Sequence, residues 1–134
     1  MLNKLEIQKR VLKDGIPLEL EKFEWDEDKK IFKSGVDGLC INFKGIDGCE
    51  IYCRNKCKIH CHNECEIYCH NECEINCYNN NKIFCLDNNK IFCRDKCKLI
   101  INSITYDLPA REYILTDYKN GTYKIIKKNE LNVK

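Results

Sequence analysis

Residues 48–103 read GCEIYCRN, KCKIHCHN, ECEIYCHN, ECEINCYN, NNKIFCLD, NNKIFCRD and KCKLIINS, seven tandem octads in one register. Position two is Cys49, Cys57, Cys65, Cys73, Asn81, Asn89 and Cys97; position four is Ile51, Ile59, Ile67, Ile75, Ile83, Ile91 and Leu99. Position six is Cys53, Cys61, Cys69, Cys77, Cys85, Cys93 and Ile101; position eight is Asn55, Asn63, Asn71, Asn79, Asp87, Asp95 and Ser103. A fainter copy precedes the run, with Ile41 and Phe43 in positions two and four and Asp47 in position eight. A fixed period of this kind marks a repeat architecture.

A helix cannot hold this pattern. Four residues advance a helix by about 400°, so the cysteine row drifts by about 40° per step and about 280° between Cys49 and Cys77. In a strand, positions two, four and six share one face, and three and five share the other. The inner set is then Cys-Ile-Cys. The outer pairs are Glu50/Tyr52, Lys58/His60, Glu66/Tyr68, Glu74/Asn76, Lys82/Phe84 and Lys90/Phe92. Asn or Asp at position eight suits a corner, because these residues tolerate left-handed backbone and bond to nearby main chain.

Eight residues supply a perimeter of at most about 27 Å, and opposed sheets need about 10 Å between them, so one octad per coil is too tight. Two octads give a flattened coil with a strand on each side and three give a triangular one, of which two is the favoured reading. That register stacks Tyr52, Tyr68 and Phe84 in one outer ladder and His60, Asn76 and Phe92 in the other. It also places Glu50 over Glu66, a like-charge pair of modest cost. The expected fold is all-β: a short β-solenoid of about 3.5 coils, roughly 17 Å tall at ~4.8 Å per layer, with β-rich caps at both ends. Free cysteine behaves as a small buried apolar side chain, so thiols flanking isoleucine fill a narrow coil without needing oxidation.

Solenoid ends expose strand edges and core, and need covering. Residues 1–47 form the expected N-terminal cap, a small meander: Leu5 and Ile7 alternate, Lys13-Asp14-Gly15 turns, and Pro17 to Trp25 alternates again. Asp26 to Lys29 is a second turn before Ile31-Phe32, and Ser34 to Gly38 leads into Leu39 to Lys44. A helix over Leu2 to Leu12 is the other reading of the start. Residues 104–134 form the C-terminal cap, with Glu112 to Tyr118 and Thr122 to Lys127 paired around Asn120-Gly121. The tail after Asn129 is expected to fray.

The composition excludes several function classes. Among 134 residues, 23 basic and 21 acidic side chains leave a net charge of +2, which makes neither a polyanion-binding surface nor an acidic decoy. No apolar run reaches the ~18 residues of a membrane span. The start, MLNKLEIQKR, lacks the apolar core of a secretory signal. A cytoplasmic protein is expected, in which twelve cysteines stay reduced.

Metal binding is the obvious reading of KIHCHNECEIYCHNEC, but Cys57 and Cys61 lie about 13 Å apart along one strand. His60 faces away from the thiols, while His62 and His70 sit at corners. The expectation is no cofactor and no mixed Cys/His site, although thiols stacked in neighbouring coils are spaced for a soft ion such as Cu(I). There is no Gly-rich phosphate loop, no H-E-x-x-H and no Ser/His/Asp order. Asp26, Glu27 and Asp28 read as a solvated turn. The chain is expected not to be an enzyme. Nucleic acid would stack on an aromatic face, but Glu50, Glu66 and Glu74 would repel phosphate.

Octads paired into 16-residue coils resemble the repeats of bacterial ice-nucleation proteins. Those present Thr-rich rows, whereas this chain has Thr105, Thr116 and Thr122 alone, so the resemblance implies the architecture and not the activity. The octads with a cysteine and a polar Asn/Asp corner also resemble small phage- and prophage-encoded octapeptide-repeat proteins, differing in two cysteines per octad and few corner glycines. That resemblance implies a cytoplasmic interference protein acting on a host component such as an immune nuclease, an anti-defence or anti-CRISPR candidate. The expected contact residues are Tyr52, His60, Tyr68, Phe84 and Phe92, exposed on a rigid platform, with Arg54 and Arg94 beside them; aromatics and Arg are enriched at interfaces. The alternatives are a thiol-based metal or redox buffer, and a homo-oligomer joined through solenoid ends or caps.

Overall fold

The structure, a computed structural model, describes residues 2–85, 88–117 and 119–126, and the side chain of Cys85 lies outside that description. Position-three-to-six segments of successive octads form the strands β6 (Glu50–Arg54), β7 (Lys58–His60), β8 (Glu66–His70), β9 (Glu74–Cys77), β10 (Asn81–Cys85), β11 (Lys90–Cys93) and β12 (Cys97–Ile101). They alternate between two sheets. β6, β8, β10 and β12 are parallel neighbours in one; β7, β9 and β11 are parallel neighbours in the other. Glu50 pairs with Glu66, Glu66 with Lys82 and Lys82 with Lys98, so each step is sixteen residues. On the second sheet Lys58 pairs with Glu74 and Glu74 with Lys90. Two octads therefore make one coil, and the molecule is a β-solenoid of about four turns.

The inner face is as dry as the repeat requires. Ile51, Ile59, Ile67, Ile75, Ile83, Ile91 and Leu99 are all buried, with no more than 1% exposure. Each contributes about 1.5–3 kcal/mol by leaving water. The octad cysteines with described side chains are buried beside them. Position two changes to asparagine twice, and both replacements stay buried. Asn81 Oδ1 accepts from the Cys65 backbone N–H at 2.8 Å, and its Nδ2 donates to the His62 carbonyl at 2.8 Å. Asn89 Oδ1 accepts from Cys73 N–H at 2.9 Å. These amides satisfy two buried backbone N–H groups and a part-buried carbonyl at the corners.

The corners come in two kinds. Between β6 and β7, Asn55 and Lys56 both adopt left-handed backbone, as do Asn71 and Glu72 between β8 and β9. At the alternate corners the left-handed residue is position one: Gly48, Glu64 and Asn80. There Asn63 and Asn79 pair as a parallel bridge instead. The expectation that position eight bends the chain thus holds at one end of the coil and shifts by a residue at the other. Asp87 lies outside the described residues.

The first coil starts before the octads. β4 (Ile31–Lys33) pairs parallel to β6, and β5 (Leu39–Asn42) pairs parallel to β7. Ile41 pairs with Ile59, a position-four residue, and not with position two as the fainter copy implied. The displacement is eighteen residues instead of sixteen, because the corner from Phe43 to Gly48 is longer than an octad corner. Ahead of it, α1 (Lys4–Gln8) is one short helix closed by a capping box: Glu6 N–H donates to Asn3 Oδ1 at 2.9 Å, and Asn3 N–H donates to Glu6 Oε1 at 3.1 Å. It does not run to Leu12, since Val11 already begins β1 (Val11–Lys13). Nor is Pro17 to Trp25 one strand: β2 (Ile16–Pro17) and β3 (Glu24–Asp26) flank a 3-10 turn, Leu20–Lys22. Phe32 plugs the coil end, stacked on Phe23 at 5.6 Å and edge-on to Phe43 at 5.6 Å.

At the other end, β12 returns as β13 (Ile104–Leu108) through left-handed Asn102 and Ser103, a two-residue hairpin. β14 (Glu112–Asp117) runs antiparallel to β11 and pairs with β15 (Thr122–Ile126). Asp117 opposes Thr122, so four residues connect them, and Asn120-Gly121 is not itself a two-residue turn. Tyr118, Lys127 and the tail after Asn129 lie outside the described residues. No helix among those described is long and apolar enough to cross a membrane.

Candidate functional site

The two-octad register decides which outer side chains meet. Tyr52 and Tyr68 stack with centroids 4.4 Å apart and planes 2° from parallel; Tyr68 and Phe84 stack at 4.5 Å and 7°. Lys33 Nζ, from the first coil, lies 5.1 Å from the Tyr52 centroid. Each phenol turns to the acidic residue two positions back: Tyr52 Oη donates to Glu50 at 3.2 Å and Tyr68 Oη to Glu66 at 2.9 Å. Burial, with the glutamate second, holds the Tyr52 phenol above its ordinary titration range, and burial with the Glu66 hydrogen bond does the same for Tyr68. The stacked Glu50 and Glu66 carboxylates gain hydrogen bonds and a Lys82 neighbour, which offsets their repulsion.

The sequence-derived contact residues divide between two faces. Tyr52, Tyr68 and Arg54 gather at a groove of about 510 Å³, whose far wall is Phe23 and Glu24 of the N-terminal cap and whose end is His70. Arg54 is not a free reader of partners: its Nε donates to the Gly35 carbonyl at 3.1 Å and lies 3.5 Å from Asp37. His60, Phe92 and Arg94 line a smaller cavity of about 240 Å³ on the opposite sheet. There Phe92 is covered by Tyr113 at 4.6 Å, and the Arg94 guanidinium sits 5.1 Å from the Tyr78 centroid. Burial first, and Lys44 second, holds His60 below its ordinary range, so it is neutral near pH 7. Tyr52, Tyr68, Phe84 and Phe92 are half-buried, not fully exposed. Ladder stacking consumes their faces and leaves mainly their edges to solvent.

The inner face holds an arrangement that strand geometry hides. Cys57 and Cys61 are on one strand and stay apart, as expected. But the last cysteine of one strand and the first of the next face each other across a corner, in a C-x3-C spacing such as Cys53-Arg54-Asn55-Lys56-Cys57 or Cys93-Arg94-Asp95-Lys96-Cys97. Cys49 and Cys65 Sγ lie 3.2 Å apart, Cys77 and Cys93 3.5 Å, and Cys77 and Cys97 3.0 Å. Neighbouring sulfurs within a cluster shift one another's titration in opposite directions, because each hydrogen bond favours the proton on one of the two. Cys97 titrates below the ordinary thiol range because Cys77, and then Cys93, donate to it; Cys93 is correspondingly pushed up by Cys77. Cys57 is lowered by Cys53 and then Cys73, and Cys65 by Cys49. The histidines take no part. His62 Nδ1 hydrogen-bonds Asp47 at 2.8 Å, and His70 is exposed.

No family model, curated protein or solved structure matches this chain.

Among the described cysteines, Cys40 alone is exposed. A thiol reagent added to the native, reduced protein is expected to show a fast phase from Cys40, with the buried thiols reacting on unfolding. Cys40→Ser should shrink that phase by one thiol equivalent; a fast phase of unchanged size would contradict the exposure described.

Proposed function

We propose that the protein is a non-enzymatic binding module that grips a protein partner in the groove beside Tyr52 and Tyr68. The observation carrying this reading is the convergence of two half-buried stacked tyrosines and the exposed His70 on one groove between the solenoid and its cap, with buried Phe23 in its lining. Tyrosine edges combine apolar area with little rotamer freedom, and the ladder fixes them further, so binding orders little that is mobile. The groove carries both signs of charge, Glu21 and Glu24 with Lys22, Lys33 and Arg54, which suits a polar segment of mixed charge. The resemblance of the octads to phage-encoded repeat proteins supplies the class of partner, a cytoplasmic host protein whose action is blocked, with an immune nuclease as the leading candidate.

The test is capture from the natural host followed by titration of the purified partner. Tyr68→Ala is expected to weaken binding about 30-fold, as loss of a central aromatic anchor worth about 2 kcal/mol does. Phe92→Ala, on the opposite face, should leave affinity unchanged. Capture of nothing, or equal binding by Tyr68→Ala and wild type with both folded, would remove this reading.

A further inference from the structure

We infer that Cys77, Cys93 and Cys97 form a buried site for one soft monovalent cation, of which Cu(I) is the physiological example. Their Sγ atoms all lie within 4.8 Å of one another, and the residues are 1%, 0% and 3% exposed. Three sulfurs placed about 2.3 Å from a common centre, the usual metal–thiolate distance, are about 4 Å apart in a plane. The 3.0 and 3.5 Å separations are thus within a small side-chain adjustment of a trigonal set.

The fold brings the three together by two independent routes. Cys77 and Cys93 are register partners on β9 and β11. Cys97 follows Cys93 around a corner and begins the opposite sheet. The register partner of Cys97 on β10 is Asn81, where the octad pattern has cysteine in five of its seven copies. Asn81 is committed to the Cys65 N–H and the His62 carbonyl. That substitution removes a sulfur from beside Cys97; Cys61, one coil earlier, contacts Cys77 but lies outside the mutually close set of three.

The donor set selects the ion. Structural zinc takes four ligands in a tetrahedron, with nitrogen or oxygen common among them. Here three sulfurs meet with no imidazole or carboxylate in the group. Soft, low-coordinate Cu(I) suits thiolates alone. Ligation releases to solvent whatever protons the three sulfurs still carry as the S–Cu bonds form, and copper enters already as Cu(I), so no electron is transferred. The extra negative charge of a thiolate-bound ion is met from outside: a cavity of about 550 Å³ with Cys97 in its wall is lined by Lys82, Lys96 and Lys98. The same cavity, whose wall also holds Asp107, reaches Cys97 alone of the three cysteines.

The test loads the reduced, full-length protein with Cu(I) in the absence of oxygen and removes weakly held metal with a competing chelator. Wild type is expected to retain one Cu(I) equivalent more than Cys97→Ser or Cys93→Ala, with sulfur-only coordination by X-ray absorption. Cys40→Ser should match wild type. Cu(I) should also raise the unfolding temperature of wild type more than that of Cys97→Ser, because the ion binds the folded cluster. Circular dichroism of both cluster variants separates lost ligands from lost fold. Equal copper retention by wild type and the folded variants would overturn the site. So would zinc held in preference to Cu(I), or a Cys77–Cys97 disulfide that forms in place of copper uptake.

Discussion

Ile67→Ala is expected to destabilise the protein by about 3–4 kcal/mol, seen as a lower urea midpoint at an unchanged slope. Ile67 is fully buried and sits in register between Ile51 and Ile83, in the middle of the stack. The cost of such a truncation depends on how far the site collapses. Here it cannot collapse along the axis, because backbone hydrogen bonds such as Glu66 N–H to the Cys49 carbonyl at 2.9 Å and Lys82 N–H to the Cys65 carbonyl at 2.9 Å fix the spacing of coils. A stack of repeats also derives its stability from nearest-neighbour contacts, and a central rung serves two of them. Ile125→Ala, at a residue 49% exposed in the C-terminal hairpin, should cost under about 0.5 kcal/mol. A loss below about 1 kcal/mol at Ile67 would mean that the rung is not packed as described.

Asn81→Ala is expected to cost about 3 kcal/mol, comparable to losing an isoleucine rung. The substitution removes no apolar contact of consequence. Its effect comes from stranding the buried Cys65 N–H and removing the partner of the part-buried His62 carbonyl, a group left unpaired costing about 1–3 kcal/mol. Asn88→Ala, one octad further on and exposed, should be close to neutral. Chemical denaturation of the pair separates the two explanations of asparagine in this repeat. Equal, small effects would mean that Asn81 serves only as polar surface.

The eight-residue period and the two-residue alternation of a strand carried the solenoid and its inward columns but left two or three octads per coil open, and the register and the two ladders follow only from the sixteen-residue step. Both signals are independent of tertiary context once the helix is excluded. What the sequence did not carry depends on where the backbone goes at its bends. The Cys53–Cys57 and Cys93–Cys97 contacts were hidden because strand rise separates residues four apart, whereas a corner folds them back together. The C-x3-C spacing across each polar position eight was the available signal. Asn81 and Asn89 were also visible, as breaks in an inward column, and an inward asparagine in a dry coil implies backbone groups to satisfy. The groove had no such signature. It depends on a 3-10 turn, Leu20–Lys22, placing Phe23 opposite Tyr52, and a three-residue turn leaves no period to read. The fainter first coil was misregistered by two residues for a related reason: its longer corner changes the spacing without changing the alternation.

The sixteen-residue coil is the claim from which the ladders, the groove and the thiol cluster all follow. Its most direct test is a set of interstrand backbone NOEs in isotopically labelled protein. The account predicts contacts between amide and α protons of residues sixteen apart along one sheet, linking the stretch around Ile51 to that around Ile67 and then Ile83, and the stretch around Ile59 to Ile75 and then Ile91. Backbone contacts linking Ile51 to Ile75, twenty-four residues on, would instead describe a three-octad coil and contradict it.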